Sequence, residues 1–356
     1  MRTTHPQLGR LGNPDETLGT DPRTDPRLVA TLAPFGLDGH GEPLPLDASA
    51  PLDQQLEFCA AAEQGFQQLF DALTAPLPPV EGVERSTETI TGVDGNDITL
   101  FVHRPADAEG PLPGILHIHG GGMVILTAAD ANNARWRDTL AAQGALVVGV
   151  EYRNGAGVLG PNPFPAGLHD CSAALDWMHG HRADLGLSKI VVSGESGGGN
   201  LTLATTLQAK QDGRLEWVDG AYAQCPYISG TYASPPAELG SLVENNEYFI
   251  GRPIMEVMAY VYDPSGEHST NPLAWPYHAS VDDLAGMPPH VISVNELDPL
   301  RDEGLAYYRK LLAAGVSVSS RTVNGTSHAG DLLCEGSMPD VFGASVRDVM
   351  GFVRAV

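Results

Sequence analysis

A strand-like run, KIVVSG (189–194), leads into Glu195-Ser196-Gly197-Gly198-Gly199 and then into an apolar helical pattern. The spacing Gly194-x-Ser196-x-Gly198 is the G-x-S-x-G of a nucleophile elbow, which holds a serine on a sharp turn between strand and helix. Glycines two residues either side of the serine remove Cβ atoms that so tight a turn would crowd. The helix N-terminus behind Ser196 favours negative charge developing at that point. Neither a Walker G-K-[ST] nor a dinucleotide G-x-G-x-x-G occurs in this stretch. A serine hydroxyl needs a base, and the base needs an acid to orient it. In this arrangement they follow the serine in the order acid, histidine. Asp298 in NELDPLRDEG and His328 in VNGTSHAGDLL stand in that order, each in a loop after a strand pattern. Glu296 and Asp302 are rivals for the acid. His290 and His278 are weaker rivals for the base, because they precede a strand. Asp298 before Pro299 also reads as a helix N-cap with proline at the first helical position.

A carbonyl under attack needs hydrogen-bond donors for its oxyanion. HIHGGGM (117–123) offers Gly120 to Gly122, whose backbone amides can approach the reacting oxygen, and the amide of Gly197 directly follows the nucleophile. His117 and His119, two apart on a strand, could chelate zinc, but no third ligand of suitable spacing follows. The reading preferred here has His119 bracing the glycine loop by a hydrogen bond, with no metal and no organic cofactor.

These residues must be carried on a sheet. Strand patterns at 114–119, 145–152, 189–194, 220–227, 290–297 and 316–323 alternate with helical stretches at 132–144, 165–181 and 302–315. A hairpin signal around Asp94-Gly95 precedes them. Such alternation predicts an α/β fold with a mostly parallel central sheet and helices on both faces. Ligands meet such sheets at the carboxyl ends of the strands, where Ser196, Asp298 and His328 all fall. Residues 1–84, with one helix pattern in PLDQQLEFCAAAEQGFQQLFDAL, read as an N-terminal segment contributing to a cap. Residues 85–230 and 272–356 read as the core. Residues 231–271, without a clear strand, read as a cap insertion.

The chain has 356 residues and a formal net charge of −24, with three lysines, Lys189, Lys210 and Lys310. So acidic a surface disfavours nucleic acid and anionic membranes. The four cysteines are far apart, with no C-x-x-C, so neither a disulfide framework nor a zinc site is expected. No apolar run approaches a membrane span and the N-terminus lacks a signal-peptide core, which makes a cytoplasmic location the expectation. The sequence leaves homo-oligomerisation open.

HGGGM, GESGGGN, NELDPLRDEG and the late loop histidine together resemble the hormone-sensitive-lipase-like esterases of the α/β-hydrolase superfamily, over most of residues 85–350. The resemblance implies an α/β-hydrolase fold with a mainly helical cap. It implies Ser196 as nucleophile, Asp298 as acid and His328 as base. The amides of Gly121, Gly122 and Gly197 match the oxyanion donors. Three departures stand out. The commoner elbow is G-D-S-A-G-G, where this chain has Glu195 and Gly197. Ala329 follows the histidine in place of the frequent glycine. EYRNGAG (151–157) replaces the usual D-Y-R-L-A-P-E. The activity implied is hydrolysis of a small-molecule ester or lactone through an acyl-enzyme. A non-catalytic binding protein, an amidase or an acyltransferase on the same scaffold are the alternatives. Met123, Val124 and Ile125 after the glycine loop, and Tyr248 and Phe249 in the insertion, are candidates for the apolar substrate pocket.

Overall fold

The computed structural model describes residues 7–356; of the segment 1–84, residues 1–6 therefore lie outside the described residues. Eight strands form one sheet: β1 (Val83–Thr91), β2 (Asp97–Pro105), β3 (Leu112–Ile118), β4 (Leu146–Val150), β5 (Leu187–Glu195), β6 (Gly220–Gln224), β7 (His290–Asn295) and β8 (Val318–Val323). Their spatial order is β1-β2-β4-β3-β5-β6-β7-β8. β2 runs antiparallel to β1 and β4, and each pairing from β4–β3 through β7–β8 is parallel. This is the α/β-hydrolase fold. The β1–β2 hairpin turns at Asp94-Gly95 as its sequence predicts, with Gly95 at φ 78°.

Helices longer than ten residues are α1 (Leu52–Thr74), α2 (Ala131–Ala142), α3 (Ala166–Gly180), α4 (Gly197–Gln211), α5 (Arg252–Tyr262), α6 (Arg301–Ala313) and α7 (Pro339–Ala355). Alternation along each strand divides the core between the two faces of the sheet. Ile115, Val147, Val191, Tyr222 and Val291 meet Trp136 and Leu140 of α2 and Phe342, Val346 and Val349 of α7. Leu116, Val148 and Val192 meet α3 and α4, and Ala223 and Ile292 meet α4 and α6. Each fully buried aliphatic side chain stabilises this arrangement by about 1.5–3 kcal/mol. The sequence reading placed no element at α7, although Phe342, Val346, Val349, Met350 and Val353 recur there at helical spacing.

Two boundaries differ from expectation for local reasons. The strand expected over 220–227 stops at Gln224, because Cys225 adopts φ 35° and turns the chain out of the sheet. The helix expected from Asp298 begins at Arg301, with Leu300 at its cap. Asp298 keeps a related role, since its Oδ1 accepts the amide of Leu300 at 2.9 Å.

The N-terminal segment and residues 231–271 are tied to each other and to the sheet's carboxyl edge. Arg23 pairs with Asp21 at 2.7 Å and also with Glu244, and Glu244 accepts from Arg301 at 3.0 Å. Glu63 of α1 is buried and accepts the amides of Leu126 at 2.8 Å and Val158 at 2.9 Å. α1 and α5 pack over the mouth of the sheet with Phe70, Met255 and Met258 in its core.

Candidate active site

Ser196 sits at φ 56°, ψ −118°, a strained backbone for a residue with a side chain, at the junction of β5 and α4. The turn that forces this geometry leaves no room beside it. A Cβ on Gly198 would lie 1.9 Å from the carbonyl oxygen of Ile118, and one on Gly194 would lie 2.4 Å from the same atom. The Ser196 amide donates to Gln224 O at 2.9 Å, and its carbonyl accepts from Tyr227 at 3.1 Å, so the ends of β5 and β6 hold the elbow.

Asp298 leaves the end of β7 and His328 the loop after β8. His328 Nδ1 lies 2.8 Å from Asp298 Oδ2, and Asp298 is fully buried. An ionised carboxylate only accepts, so Nδ1 carries a proton, and in the neutral ring Nε2 is left as an acceptor. Burial acts to lower the His328 pKa. The charges and hydrogen bonds of Asp298 and Cys225 together outweigh that, and the net result lies above the usual 6.5. The rival groups have other partners. Glu296 pairs with Arg23 and Arg301, and Asp302 accepts the Ser241 amide at 2.7 Å. His290 faces Pro288 O at 2.6 Å and His278 faces Ser229 O at 2.9 Å. The acid loop is anchored from the insertion, where Asn245 Nδ2 donates to Asp298 O at 3.1 Å and Ser241 Oγ to Pro299 O at 2.7 Å.

Ser196, His328, Gly121 and Gly122 border one cavity, walled chiefly by apolar side chains such as Phe66, Phe70, Phe249, Met255 and Met258. Among the described residues, no protein acceptor takes the amides of Gly121 or Gly122. The loop comes so near the elbow that a Cβ on Gly197 would lie 2.5 Å from Met123 N and 2.7 Å from Gly122 N. That close approach explains why glycine stands here where the resembling elbows carry alanine.

Glu195 joins loop and elbow. Its Oε1 accepts the Gly120 amide at 2.7 Å and its Oε2 lies 3.0 Å from His117 Nε2. His119 Nδ1 donates to Gly120 O at 2.8 Å, and its ring stacks on Tyr152 with centroids 4.3 Å apart. Burial lowers the His119 pKa to about 3, so it remains neutral. The two histidines thus serve separate partners, and the chelate considered for them is not assembled among the described residues.

Of the five pocket candidates, Ile125 and Phe249 line the cavity, while Met123, Val124 and Tyr248 do not. Val124 and Ile125 both donate to Gly121 O, a tight turn that carries Met123 and Val124 into the core. Tyr248 joins a separate cluster with Leu18 and Leu28, and its hydroxyl donates to Asp21 at 3.1 Å. The sequence reading missed Cys225, whose Sγ lies within 4.8 Å of the facing His328 and Asp298 atoms. Burial holds its thiol pKa above the ordinary value. It also missed Glu195 as a clamp and Phe66, Phe70, Met255 and Met258 as cavity wall. Glu195 had a signal, since it adjoins Ser196. The wall residues depend on how α1 and α5 fold over the sheet, which local pattern does not specify.

A family model described as the alpha/beta hydrolase fold matches residues 115–331, and the chain belongs to that family. Among curated relatives, it is 35% identical over 243 residues to the carboxylesterase NlhH of Mycobacterium tuberculosis (strain ATCC 25618 / H37Rv), covering 66% of this chain and 72% of that protein. It is 28% identical over 301 residues to an arylesterase of Saccharolobus solfataricus, covering 83% and 93%. Among solved structures, one described as brefeldin A esterase, a bacterial homologue of human hormone sensitive lipase, superimposes with a TM-score of 0.95 at 50% identity over 98% of each chain. The esterase Est22 superimposes with a TM-score of 0.85 at 35% identity, covering 95% of this chain and 100% of that one.

Proposed function

We propose that Ser196, His328 and Asp298 act together as nucleophile, base and orienting acid in ester hydrolysis, with the amides of Gly121, Gly122 and Gly197 receiving the oxyanion. The chain is a carboxylic ester hydrolase. The observation that carries the finer reading is the 2.8 Å contact between buried Asp298 and His328 on the wall of the cavity that Ser196 also borders.

In this reading Ser196 Oγ attacks the ester carbonyl as His328 Nε2 takes its proton, and the carbonyl oxygen becomes an anion facing the loop amides. The anion collapses, the C–O bond to the alcohol breaks, and His328 returns the proton to the leaving oxygen. Water then attacks the acyl-enzyme with the same base, releasing the acid and restoring Ser196. Residues 7–84 and 231–271 act as a cap that supplies apolar walls and keeps bulk water from the reacting centre.

The apolar lining favours small to medium carboxylic esters or lactones. A series of p-nitrophenyl esters from acetate to laurate, with a macrolactone alongside, tests this. Turnover should peak at a short or medium acyl chain. No turnover across the series by folded protein would end the reading.

A further inference from the structure

An apolar groove lies open on the protein surface beside α1. Ala62, Gly65, Phe66 and Leu69 line it from one helix face, and Phe35 and Leu37 come from the segment before α1. Among the described residues, Gln68 is the one polar side chain there, and Phe66 alone borders both this groove and the cavity at Ser196. The Phe66 ring stands 6.0 Å from that of Phe70 and 6.4 Å from that of Phe249, centroid to centroid. Those two rings line the cavity without reaching the groove. Phe66 is half-buried, so its ring is freer to change rotamer than that of Phe70, which is buried. Phe249 holds its place at φ 77°, a backbone that aromatic residues rarely adopt. Gly65 adds an independent observation. It stands inside α1, where glycine is among the poorest helix formers. Neither a positive φ nor a close neighbour requires it, since a Cβ on Gly65 would meet nothing within 4 Å. Its missing side chain leaves the groove open next to Phe66.

We propose that Phe66 is a gate at the end of the acyl-binding cavity and that the groove beyond it receives the far end of a straight acyl chain too long for the cavity. The proposal rests on the esterase reading above. The groove's lining is hydrocarbon apart from one neutral amide, so it suits an alkyl chain and offers nothing to a charged group. The acyl side follows from the chemistry. His328 must return a proton to the leaving oxygen, so the alcohol lies against His328 and its neighbour Ala329 in the cavity wall. The groove includes neither and meets the cavity at Phe66. A short acyl chain ends before the gate, and a long one passes when the Phe66 ring swings aside.

The test compares p-nitrophenyl decanoate with p-nitrophenyl butanoate on the wild type, Phe66→Ala and Gly65→Leu, each shown to be folded by a thermal melt. Phe66→Ala removes the gate ring. Gly65→Leu fills the groove from outside the cavity with a better helix former. The ratio of kcat/KM, decanoate over butanoate, should rise severalfold in Phe66→Ala and fall in Gly65→Leu. A methylene moved from water to an apolar site is worth about fourfold, and about twofold where half of it stays exposed, so denying the groove to three or four methylenes should lower the ratio about eight- to sixteenfold. A merely structural role would change both esters together and leave the ratio in place. A second series, decyl against butyl butanoate, lengthens the alcohol instead, and its ratio should hold in both variants. An unchanged acyl ratio in either folded variant, or a shift confined to the alcohol series, would overturn the gate while leaving the esterase reading intact. Failure of the wild type to hydrolyse the butanoate would instead strike the esterase reading, and the gate with it.

Discussion

Replacing Glu195 by alanine removes a side chain that joins the glycine loop to the elbow at Ser196. The Gly120 amide loses an acceptor at 2.7 Å and His117 Nε2 a partner at 3.0 Å. A hydrogen bond to an ionised group contributes about 1.5–3 kcal/mol. The Glu195 side chain is 13% exposed, so water replaces part of what is lost, and a destabilisation of about 2–4 kcal/mol is expected. For a chain of 356 residues unfolding as one unit, that lowers Tm by roughly 3–5 °C. The larger effect falls on the rate. Gly121 and Gly122 directly follow the released amide, and misplacing these proposed oxyanion donors by a fraction of an ångström should lower kcat about 10- to 100-fold. KM should change little, because the apolar walls stay. Glu195→Asp, which keeps the charge but shortens the reach, should fall between. Steady-state kinetics and a thermal melt on the same preparations provide the assay. A Glu195→Ala enzyme with the expected fall in Tm but kcat within twofold of wild type would refute the clamp as a positioning device.

Asp298→Asn should lower kcat by about 10⁴, the order seen when an orienting carboxylate is lost from such a triad. The base works only when neutral, so the raised His328 pKa places the acid limb of kcat/KM above pH 6.5 in the wild type. Without the Asp298 charge, one of the influences that raise the pKa against burial is gone and the limb should move to lower pH; a pH–rate profile of both enzymes checks this. Gly197→Ala should slow kcat about 10- to 100-fold with an intact fold, because its Cβ would press within 2.5 Å of Met123 N and displace the loop. Fully buried Glu303 accepts from Ile228 N at 2.6 Å and Tyr232 at 3.1 Å, and burial pushes its pKa up to about 8. A folded pKa raised above the unfolded value contributes stability at low pH that is lost as pH rises from about 4.5 to about 8. Glu303→Gln should therefore gain on the wild type by up to about 4–5 kcal/mol across that range, measured by denaturant unfolding at several pH values.

Much of this arrangement is legible in the residues. The elbow is written locally, because a turn that brings a Cβ within 1.9 Å of a carbonyl tolerates only glycine. The parallel strands are legible because burial on both faces makes their composition uniformly apolar. What local pattern leaves unsettled is tertiary. Met123 and Val124 adjoin the glycine loop yet turn into the core, while Phe66 and Phe70 arrive from a helix more than a hundred residues before Ser196. Cys225 reaches the His328–Asp298 pair only because its positive φ ends β6 early. Such placements depend on how separate elements pack.

The central claim is that one hydroxyl, Ser196, carries the acyl group. Treating the folded protein with a fluorophosphonate and mapping the adduct by mass spectrometry tests it most directly. The account predicts one adduct on Ser196, abolished in Ser196→Ala together with ester hydrolysis. An adduct on another residue, or near-normal hydrolysis by Ser196→Ala, would contradict it.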